Sequence, residues 1–507
     1  MYKITHYVII IVCGLHFSLL SQEIDRYETA WKTLLKKNVL PQNDPKLGYC
    51  YQNKDGKISG KSTNGPVILA SLSKIFTSIV SLKVLNDKYY EDYGPSKNLL
   101  FTTKLEVTSF EKIPGGQIYY NLYIKGGLDP YFDTKKLIWA ISLLNERGIK
   151  TIENLIIDSG FYFSPEISID KVFLDPKVSS YREPAIPTIT MIKKSLIPYF
   201  NLTLSNFATL KKKMEIGKLE LLKLEEKHNL VGSLGITVQT PLEMLTTNIL
   251  SEEEFKSFQN IFEEKKMFTL DLYSAPFHKI LKFMNSFSHN WISEILFKKI
   301  IGGIDQYKLL LEKLMPNLSS SSIFYTGSGL PLKNANGLRK NNISTCSDII
   351  GAMLILKELE FSQDKITQFP ELTLPNPNED FPVQFLGDNS VISRGFYARS
   401  ETTQKVGYYF IGKTGTLNNA INLALIAPTL DGAIPLILFN NDENALTSPT
   451  RERTKNLYFD AIQEFYRIIS IYQIPQLHSN IPTFSLESLN PTDQSEEFLN
   501  ISGWKLE

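Results

Sequence analysis

Three short motifs combine residue types and spacings that suit acyl transfer. In the first, Ser71 and Lys74 lie three residues apart and would share one face of a helix. A serine hydroxyl becomes a nucleophile when a base takes its proton, and a lysine can be that base once burial or another cation lowers its pKa from about 10.4. The spacing recurs elsewhere, but only Ser71 begins a long apolar segment, 70–85, that predicts a buried helix.

The second motif is Ser288-His289-Asn290, which lies within a largely helical pattern, 279–300. Its hydroxyl can relay a proton, and its amide can hold a substrate carbonyl. The alternative interpretation is a helix N-cap with surface polar residues, because serine and asparagine are common at that position. Both interpretations stay open when the motif is taken alone.

The third motif is Lys413-Thr414-Gly415-Thr416, which contains the only Lys-Thr-Gly sequence in the chain. Strand-forming residues precede it, and the glycine lets another group approach the backbone closely. An edge strand here could pair with an extended substrate while Lys413 and the two threonines hold a carboxylate. A plain hairpin turn is the alternative.

The order of the motifs is more specific than any one of them. SxxK, SxN and KTG follow one another, with Ser288 placed 217 residues after Ser71 and 125 residues before Lys413. This order is similar to the signature of penicillin-binding proteins and class A β-lactamases. The first gap is too long for a plain β-lactamase and resembles the large-insert D-alanyl-D-alanine carboxypeptidases/endopeptidases, which are low-molecular-mass penicillin-binding proteins. Segments that carry the resemblance over most of residues 25–470 are 101–106, 126–130, 148–150, 157–158, 327–330 and 412–417.

The resemblance implies an α/β (α+β) fold, in which helices sandwich an antiparallel sheet and an inserted, mainly β-containing domain folds separately. It implies that Ser71 attacks the carbonyl between two D-alanines, that Ser288 passes the proton to the leaving amine, and that no cofactor or metal takes part. The backbone N–H groups of Ser71 and Thr416 would form an oxyanion hole. The implied catalytic residues are Ser71, Lys74, Ser288, Asn290 and Lys413, and the implied substrate-binding residues are Thr414, Gly415 and Thr416.

Three positions depart from the family pattern. Thr326 stands where an aspartate usually precedes Gly-Ser-Gly-Leu, and His289 stands where an aspartate is common. The stretch 181–187 follows the corresponding family segment only loosely. These departures bear on the inserted domain and on substrate preference more than on the reaction.

The N-terminus predicts export from the cytoplasm. Lys3 precedes a 14-residue apolar run, Tyr7–Leu20, which suits a signal peptide and is shorter than the ~20 residues that span a bilayer. An uncleaved anchor is the alternative. The predicted organisation is a signal peptide at 1–21, a peptidase domain in two parts at 22–99 and 266–473, an insert at 100–265 and a polar tail at 474–507. The protein is therefore expected in the periplasm or another extracytoplasmic space.

Composition argues against several other classes. The 507 residues include 54 Lys+Arg and 53 Asp+Glu, so overall charge gives no support to nucleic-acid binding. Three cysteines without a CxxC sequence, and six histidines without metal-ligand spacing, argue against a zinc ribbon, a redox motif and metal catalysis. In an oxidising compartment Cys50 and Cys346 could pair, or each could be a separate buried thiol.

The expected function is that of a serine-type D-Ala-D-Ala carboxypeptidase, a DD-endopeptidase, or both. The expected partners are peptidoglycan stem peptides as substrate and β-lactams as covalent inhibitors, with no nucleic acid. A β-lactamase-like hydrolase and a non-catalytic peptidoglycan-binding relative are the alternatives. The sequence leaves open the oligomeric state, a peripheral contact with the membrane or wall, and the balance of the two peptidase activities.

Overall fold

The structure is a computed structural model of the full chain. It describes residues 26–53, 56–63, 65–93, 100–132, 134–163, 188–197, 199–203, 243–257, 263–274, 277–334, 336, 338–360, 411–429, 432–469 and 499–502. The predicted signal peptide and the stretch 181–187 lie outside these residues. Among the described helices, none combines the length and the apolar character needed to cross a bilayer.

The chain contains both strands and helices, as the sequence predicts for a mixed fold. The strands are β1 (Leu47–Gln52), β2 (Ile58–Lys61), β3 (Pro66–Ile68), β4 (Thr102–Glu111), β5 (Ile118–Lys125), β6 (Thr151–Ile157), β7 (Asn201–Leu202), β8 (Met244–Ser251), β9 (Lys265–Tyr273), β10 (Leu332–Lys333), β11 (Arg339–Lys340), β12 (Ile343–Thr345), β13 (Ile411–Leu417), β14 (Ala420–Thr429), β15 (Gly432–Asn440) and β16 (Leu499–Ser502). The helices are α1 (26–37), α2 (Ser73–Tyr93), α3 (Thr134–Glu146), α4 (Ile189–Leu196), α5 (Glu252–Lys256), α6 (Phe277–Phe287), α7 (Asn290–Ile295), α8 (Ile304–Leu314), α9 (Cys346–Glu360) and α10 (Thr450–Ile469).

The chain forms two compact units. The first contains Met1–Ile79 and Lys308–Ile481, and the second contains Val80–Tyr307 and Pro482–Glu507. The predicted insert, 100–265, lies within the second unit. The predicted polar tail is divided, because its strand β16 pairs with β9 of the second unit.

The first unit is built on an antiparallel five-stranded sheet with the order β13-β14-β15-β1-β2. Side chains alternate between the two faces of a strand. Tyr49 and Tyr51 of β1 therefore share one face, where Trp31 of α1 and Phe465 of α10 pack beside them in a buried aromatic cluster. Cys50, between the two tyrosines, points to the opposite face, against which α9 packs. Helices thus cover both faces of an antiparallel sheet, which confirms the predicted fold class.

A disulfide joins the sheet to the helix behind it. Cys50 of β1 and Cys346, the first residue of α9, are both fully buried, and their Cα atoms are 6.2 Å apart. Of the two alternatives that the sequence left open, the structure has the paired one. The bond connects residues separated by 296 positions, so it closes a very long loop.

Breaking this bond is expected to lower the free energy of unfolding by about 2–4 kcal/mol, because a cross-link over a long loop restricts the unfolded chain. The measurement is urea unfolding with and without a reductant. The Cys50→Ser, Cys346→Ser double variant is the control, since reductant should leave its midpoint unchanged. An equal midpoint for the oxidised and reduced wild type would contradict the expectation.

The second unit is built on a mixed seven-stranded sheet with the order β16-β9-β4-β5-β6-β8-β7. The pairs β5–β6 and β6–β8 are parallel, and the other pairs are antiparallel. Helices α3 and α4 contribute Ile141 and Leu196 to a core with strand residues such as Leu122 and Leu155. The presence of its own buried core fits a unit that folds separately.

A buried ion pair lies in the second unit. Asp129 and Lys136 are 1% and 2% exposed, and Lys136 Nζ lies 2.8 Å from Asp129 Oδ2. The other oxygen, Asp129 Oδ1, accepts the backbone N–H of Tyr131 at 2.9 Å. Both carboxylate oxygens therefore have partners, which a buried charge needs in order to be tolerated.

Candidate active site

The nucleophile candidate lies in a tight turn that leads into α2. Ala70–Leu72 form one turn of 3-10 helix, and the α-helix begins at Ser73, two residues later than the sequence suggests for Ser71. Ala70 has φ +48°, a left-handed conformation that is costly for a residue with a Cβ atom. Strain of this kind is common at functional sites. Ser71, the middle residue of this turn, is half-buried.

Lys74 is fully buried, and its amine faces the hydroxyl of Ser71. The Nζ atom lies 3.2 Å from Ser71 Oγ and 2.9 Å from the backbone oxygen of Ser328. A carbonyl oxygen can only accept, so an N–H of Lys74 is directed to Ser328. A neutral amine also has one lone pair, which can take the proton of Ser71. The pair therefore has the geometry of a nucleophile and its base.

The third motif lies in β13, which is the edge strand of the five-stranded sheet as far as the structure describes it. Lys413 is fully buried, and its Nζ donates to the carbonyl oxygen of Thr414 at 2.8 Å. Burial, and secondly the charge of Lys74, hold the pKa of Lys413 well below its ordinary value of 10.5. Thr414 is 5% exposed, whereas Thr416 is exposed to solvent.

A lowered pKa has a consequence for folding. Protonated Lys413 costs folding free energy at pH values below its pKa in the folded protein. That cost fades as the pH rises from this pKa towards 10.5, the ordinary value for lysine. The position thus costs stability at low and neutral pH, which is a frequent property of functional residues.

Gly415 brings β13 directly against the nucleophile turn. A Cβ atom at this position would lie 2.5 Å from the Leu69 oxygen and 3.3 Å from the Leu72 nitrogen. A larger residue would therefore push the strand away from Ser71. The structure thus brings together the first and third motifs, which are more than 300 residues apart in the sequence.

The second motif belongs to the second unit. Ser288 has φ +55°, and His289 is the N-cap of α7, because its Nδ1 accepts the backbone N–H of Ile292 at 3.2 Å. Asn290 is the first residue of α7, and it is half-buried, as is Ser288. Tyr131 stacks edge-on against the His289 ring, with centroids 6.0 Å apart. The N-cap that the sequence allowed is therefore His289, and the roles of Ser288 and Asn290 stay predictions.

The segment Thr326–Leu330, to which the sequence assigned no role, lies against the nucleophile turn and α2. The backbone oxygen of Gly327 accepts a hydrogen bond from Thr77 Oγ1 at 2.9 Å. Thr77 lies one turn after Ser73, the first residue of α2. Gly329 has φ +78° and lies so close to the Ala70 oxygen that no Cβ would fit. The signal for this element was the pair of glycines in Gly-Ser-Gly-Leu, since close backbone contact requires glycine.

Thr326, which stands in place of the family's aspartate, closes this segment on itself. Its Oγ1 donates to the Leu330 oxygen at 2.8 Å, and the side chain is 1% exposed. The hydroxyl therefore satisfies a local backbone acceptor.

The fold and the site resemble those of serine DD-peptidases, since a fully buried lysine lies beside a half-buried serine. Residues 257–458 match the model of the D-Ala-D-Ala carboxypeptidase 3 (S13) family. This match includes the second and third motifs and confirms the resemblance that the sequence predicts. No curated protein matches the chain significantly.

Several solved structures share the fold. The Bd0816 predatory endopeptidase from Bdellovibrio bacteriovorus, in complex with immunity protein Bd3460, is 21% identical with a TM-score of 0.59, over 83% of this chain and 93% of its own. Bd3459, a predatory peptidoglycan endopeptidase from the same organism, is 20% identical with a TM-score of 0.58, over 84% and 92%. The penicillin G-acylated form of Bd3459, in complex with Bd3460, is 20% identical with a TM-score of 0.56, and the alignment covers 84% of this chain and 92% of that chain.

Proposed function

We propose that this protein hydrolyses D-Ala-D-Ala bonds or the related cross-links of peptidoglycan stem peptides, with Ser71 as nucleophile and Lys74 as base. The observation that carries the proposal is the fully buried Lys74 amine, 3.2 Å from Ser71 Oγ. Burial disfavours a charged amine, and a neutral amine is the form that can accept the serine proton. The Ser328 oxygen holds the amine in place.

In the acylation step, Ser71 Oγ bonds to the substrate carbonyl carbon while its proton moves to Lys74. The carbonyl oxygen becomes an oxyanion, which the backbone N–H groups of Ser71 and Thr416 would stabilise. The oxyanion then reforms the carbonyl, the C–N bond breaks, and the leaving amine takes a proton. Water attacks the resulting ester, which releases the peptide acid and restores the hydroxyl of Ser71.

The resemblance assigns the later proton transfer to Ser288, which would pass the proton to the leaving amine. It assigns to Asn290 the positioning of the acyl side of the substrate through its amide. In the second unit, Asn290 is the first residue of α7, and Ser288 directly precedes the N-cap residue of that helix. Their roles can be tested by single substitutions to alanine, which should slow acylation without loss of fold.

Lys413 would respond to the substrate. Its pKa is low in the free protein because of burial and the charge of Lys74. A substrate carboxylate beside it would favour the protonated form, since an opposite charge within about 4–6 Å raises the pKa of an amine. The cation so formed would repel the proton of Lys74 and thereby favour the neutral form of that amine, which is the base. Thr414 and Thr416 would bind the same carboxylate.

The proposal includes β-lactams as covalent inhibitors and an extracytoplasmic location. A β-lactam carbonyl is open to the same attack, and one structurally similar endopeptidase is described as acylated by penicillin G. The Cys50–Cys346 disulfide is in keeping with an oxidising compartment outside the cytoplasm. The predicted signal peptide, residues 1–21, would direct export.

The experiment that tests the function is incubation of the purified protein with a fluorescent penicillin, followed by identification of the labelled peptide. Labelling at Ser71 together with release of D-alanine, or cleavage of cross-linked muropeptides, supports the proposal. Rapid loss of the label by hydrolysis indicates a β-lactamase instead. An unlabelled, inactive protein that still binds sacculi indicates a non-catalytic wall-binding relative.

The Lys413→Ala variant is expected to lose about tenfold to a hundredfold in kcat/KM on a D-Ala-D-Ala peptide, which is the cost of one charge-assisted contact of about 1.5–3 kcal/mol. The loss should be much smaller on the same peptide with its terminal carboxylate amidated. That amidated peptide is the matched control. Equal losses on the two peptides would show that Lys413 does not recognise the carboxylate.

A further inference from the structure

Asn342 is a buried asparagine that the assigned motifs do not include. It is fully buried just before β12, and its Nδ2 donates to Ser73 Oγ at 2.9 Å and to the Thr326 oxygen at 2.7 Å. Its Oδ1 accepts the backbone N–H groups of Tyr325 at 2.7 Å and of Thr326 at 3.2 Å. An amide side chain has two N–H donors and two acceptor lone pairs, so every one of them has a partner.

The backbone of Asn342 makes a further bond to the nucleophile turn. Its oxygen accepts the N–H of Leu69 at 2.9 Å. Leu69 immediately precedes the turn that contains Ser71, and Ser73 immediately follows it. Asn342 thus bonds to both ends of that turn, one through its backbone and one through its side chain.

The side chain of Asn342 also fixes the segment that orients the base. Tyr325 and Thr326 are the residues just before Gly327 and Ser328, whose carbonyl oxygens bind Thr77 and Lys74. A neutral Lys74 directs one N–H to the Ser328 oxygen. The position of that oxygen therefore sets the direction of the lone pair on the amine. A shift of the segment would therefore turn the lone pair away from Ser71.

We propose that Asn342 is a positioning residue for acylation, which holds the turn of Ser71 and the carbonyl of Ser328 in the register that directs the Lys74 lone pair at the Ser71 hydroxyl. The inference rests on the proposed function of Ser71 and Lys74. Asn342 itself touches neither the reacting atoms nor the substrate. Its effect should therefore appear in the rate of the chemical step and leave initial binding almost unchanged.

The test is the kinetics of acylation by a fluorescent penicillin, with rates normalised to the fraction of active sites and measured across pH. Asn342→Ala is expected to lower the first-order acylation constant by about tenfold to a hundredfold, because small displacements of catalytic groups have effects of this size. The dissociation constant of the non-covalent complex should stay near that of the wild type. The pH profile should change, since a misdirected amine no longer governs the proton transfer.

The matched control is Asn341→Ala, which changes the neighbouring, half-buried asparagine and should acylate like the wild type. If Asn342→Ala does not fold, Ser73→Ala is the variant that tests the inference. It removes one hydrogen-bond partner of the Asn342 amide with little change in volume. Ser73→Ala should show a smaller loss in the same rate constant. If the folded Asn342 and Ser73 variants have wild-type acylation rates and pH profiles, the inference about Asn342 is overturned and the proposed function is unaffected. A wild-type protein that is not labelled at Ser71 would instead refute the proposed function and the inference with it.

Discussion

Replacement of Ser71 by alanine is expected to abolish covalent labelling by a fluorescent penicillin and to leave the folded structure intact. The acyl-enzyme is an ester of the Ser71 hydroxyl, so no ester can form without that oxygen. The side chain is only half-buried, and the change removes a single atom from a turn that the backbone bonds of Leu69 and Leu72 maintain. The measurements are in-gel fluorescence after incubation and a circular-dichroism melting curve.

Ser109→Ala is the matched control, because Ser109 and Lys112 have the same sequence spacing as Ser71 and Lys74. Ser109 lies in β4, and the amine of Lys112, just past the end of that strand, pairs with Glu153 Oε1 at 2.6 Å. This pair therefore lacks the geometry of a nucleophile and its base, and the variant should be labelled like the wild type. Undiminished labelling of Ser71→Ala would contradict the assignment and direct attention to the other serines with this spacing.

Lys74→Met is expected to slow acylation by about 10²–10⁴-fold, the usual contribution of a general base. Methionine has a similar length and is apolar, so it can occupy the fully buried position without a charge to solvate. The residual rate of the variant should rise with pH, because hydroxide becomes the remaining base. The measurement is the acylation rate constant between neutral and alkaline pH.

Lys83→Met provides the comparison within the same helix. Lys83 is partly exposed and forms an ion pair with Asp87, one turn further along α2. Exposed pairs of this kind contribute little, about 0–1 kcal/mol, so this variant should acylate at the wild-type rate. An acylation rate for Lys74→Met close to that of Lys83→Met would show that another group deprotonates Ser71.

The sequence alone determines those parts of the candidate site that depend on local structure. The i, i+3 spacing predicts that Lys74 lies beside Ser71, and the structure has this contact, with Ser71 in the 3-10 turn and Lys74 in the first turn of α2. The edge strand that the sequence allowed around Lys413 is β13 in the structure. The family resemblance follows from the order of the three motifs, and the match of residues 257–458 to the family model confirms that resemblance.

Local patterns also allowed outcomes that only the tertiary structure distinguishes. The pairing of Cys50 with Cys346 depends on β1 and α9 packing face to face, and the residues are 296 positions apart. The start of α2 at Ser73 depends on contact of the Ala70 turn with Gly329.

What only the tertiary structure decided is the environment that would make Lys74 a base. The Ser328 oxygen that binds its amine is 254 positions away, Asn342 reaches Ser73 across 269 positions, and Gly415 approaches Leu69 from the far end of the chain. No periodicity or propensity encodes such contacts, because each forms only when distant segments pack together and the entropy of closing long loops is overcome by burial of the core. The sequence by itself determined which residues have the chemistry, and packing over hundreds of positions determined how they are buried, oriented and charged.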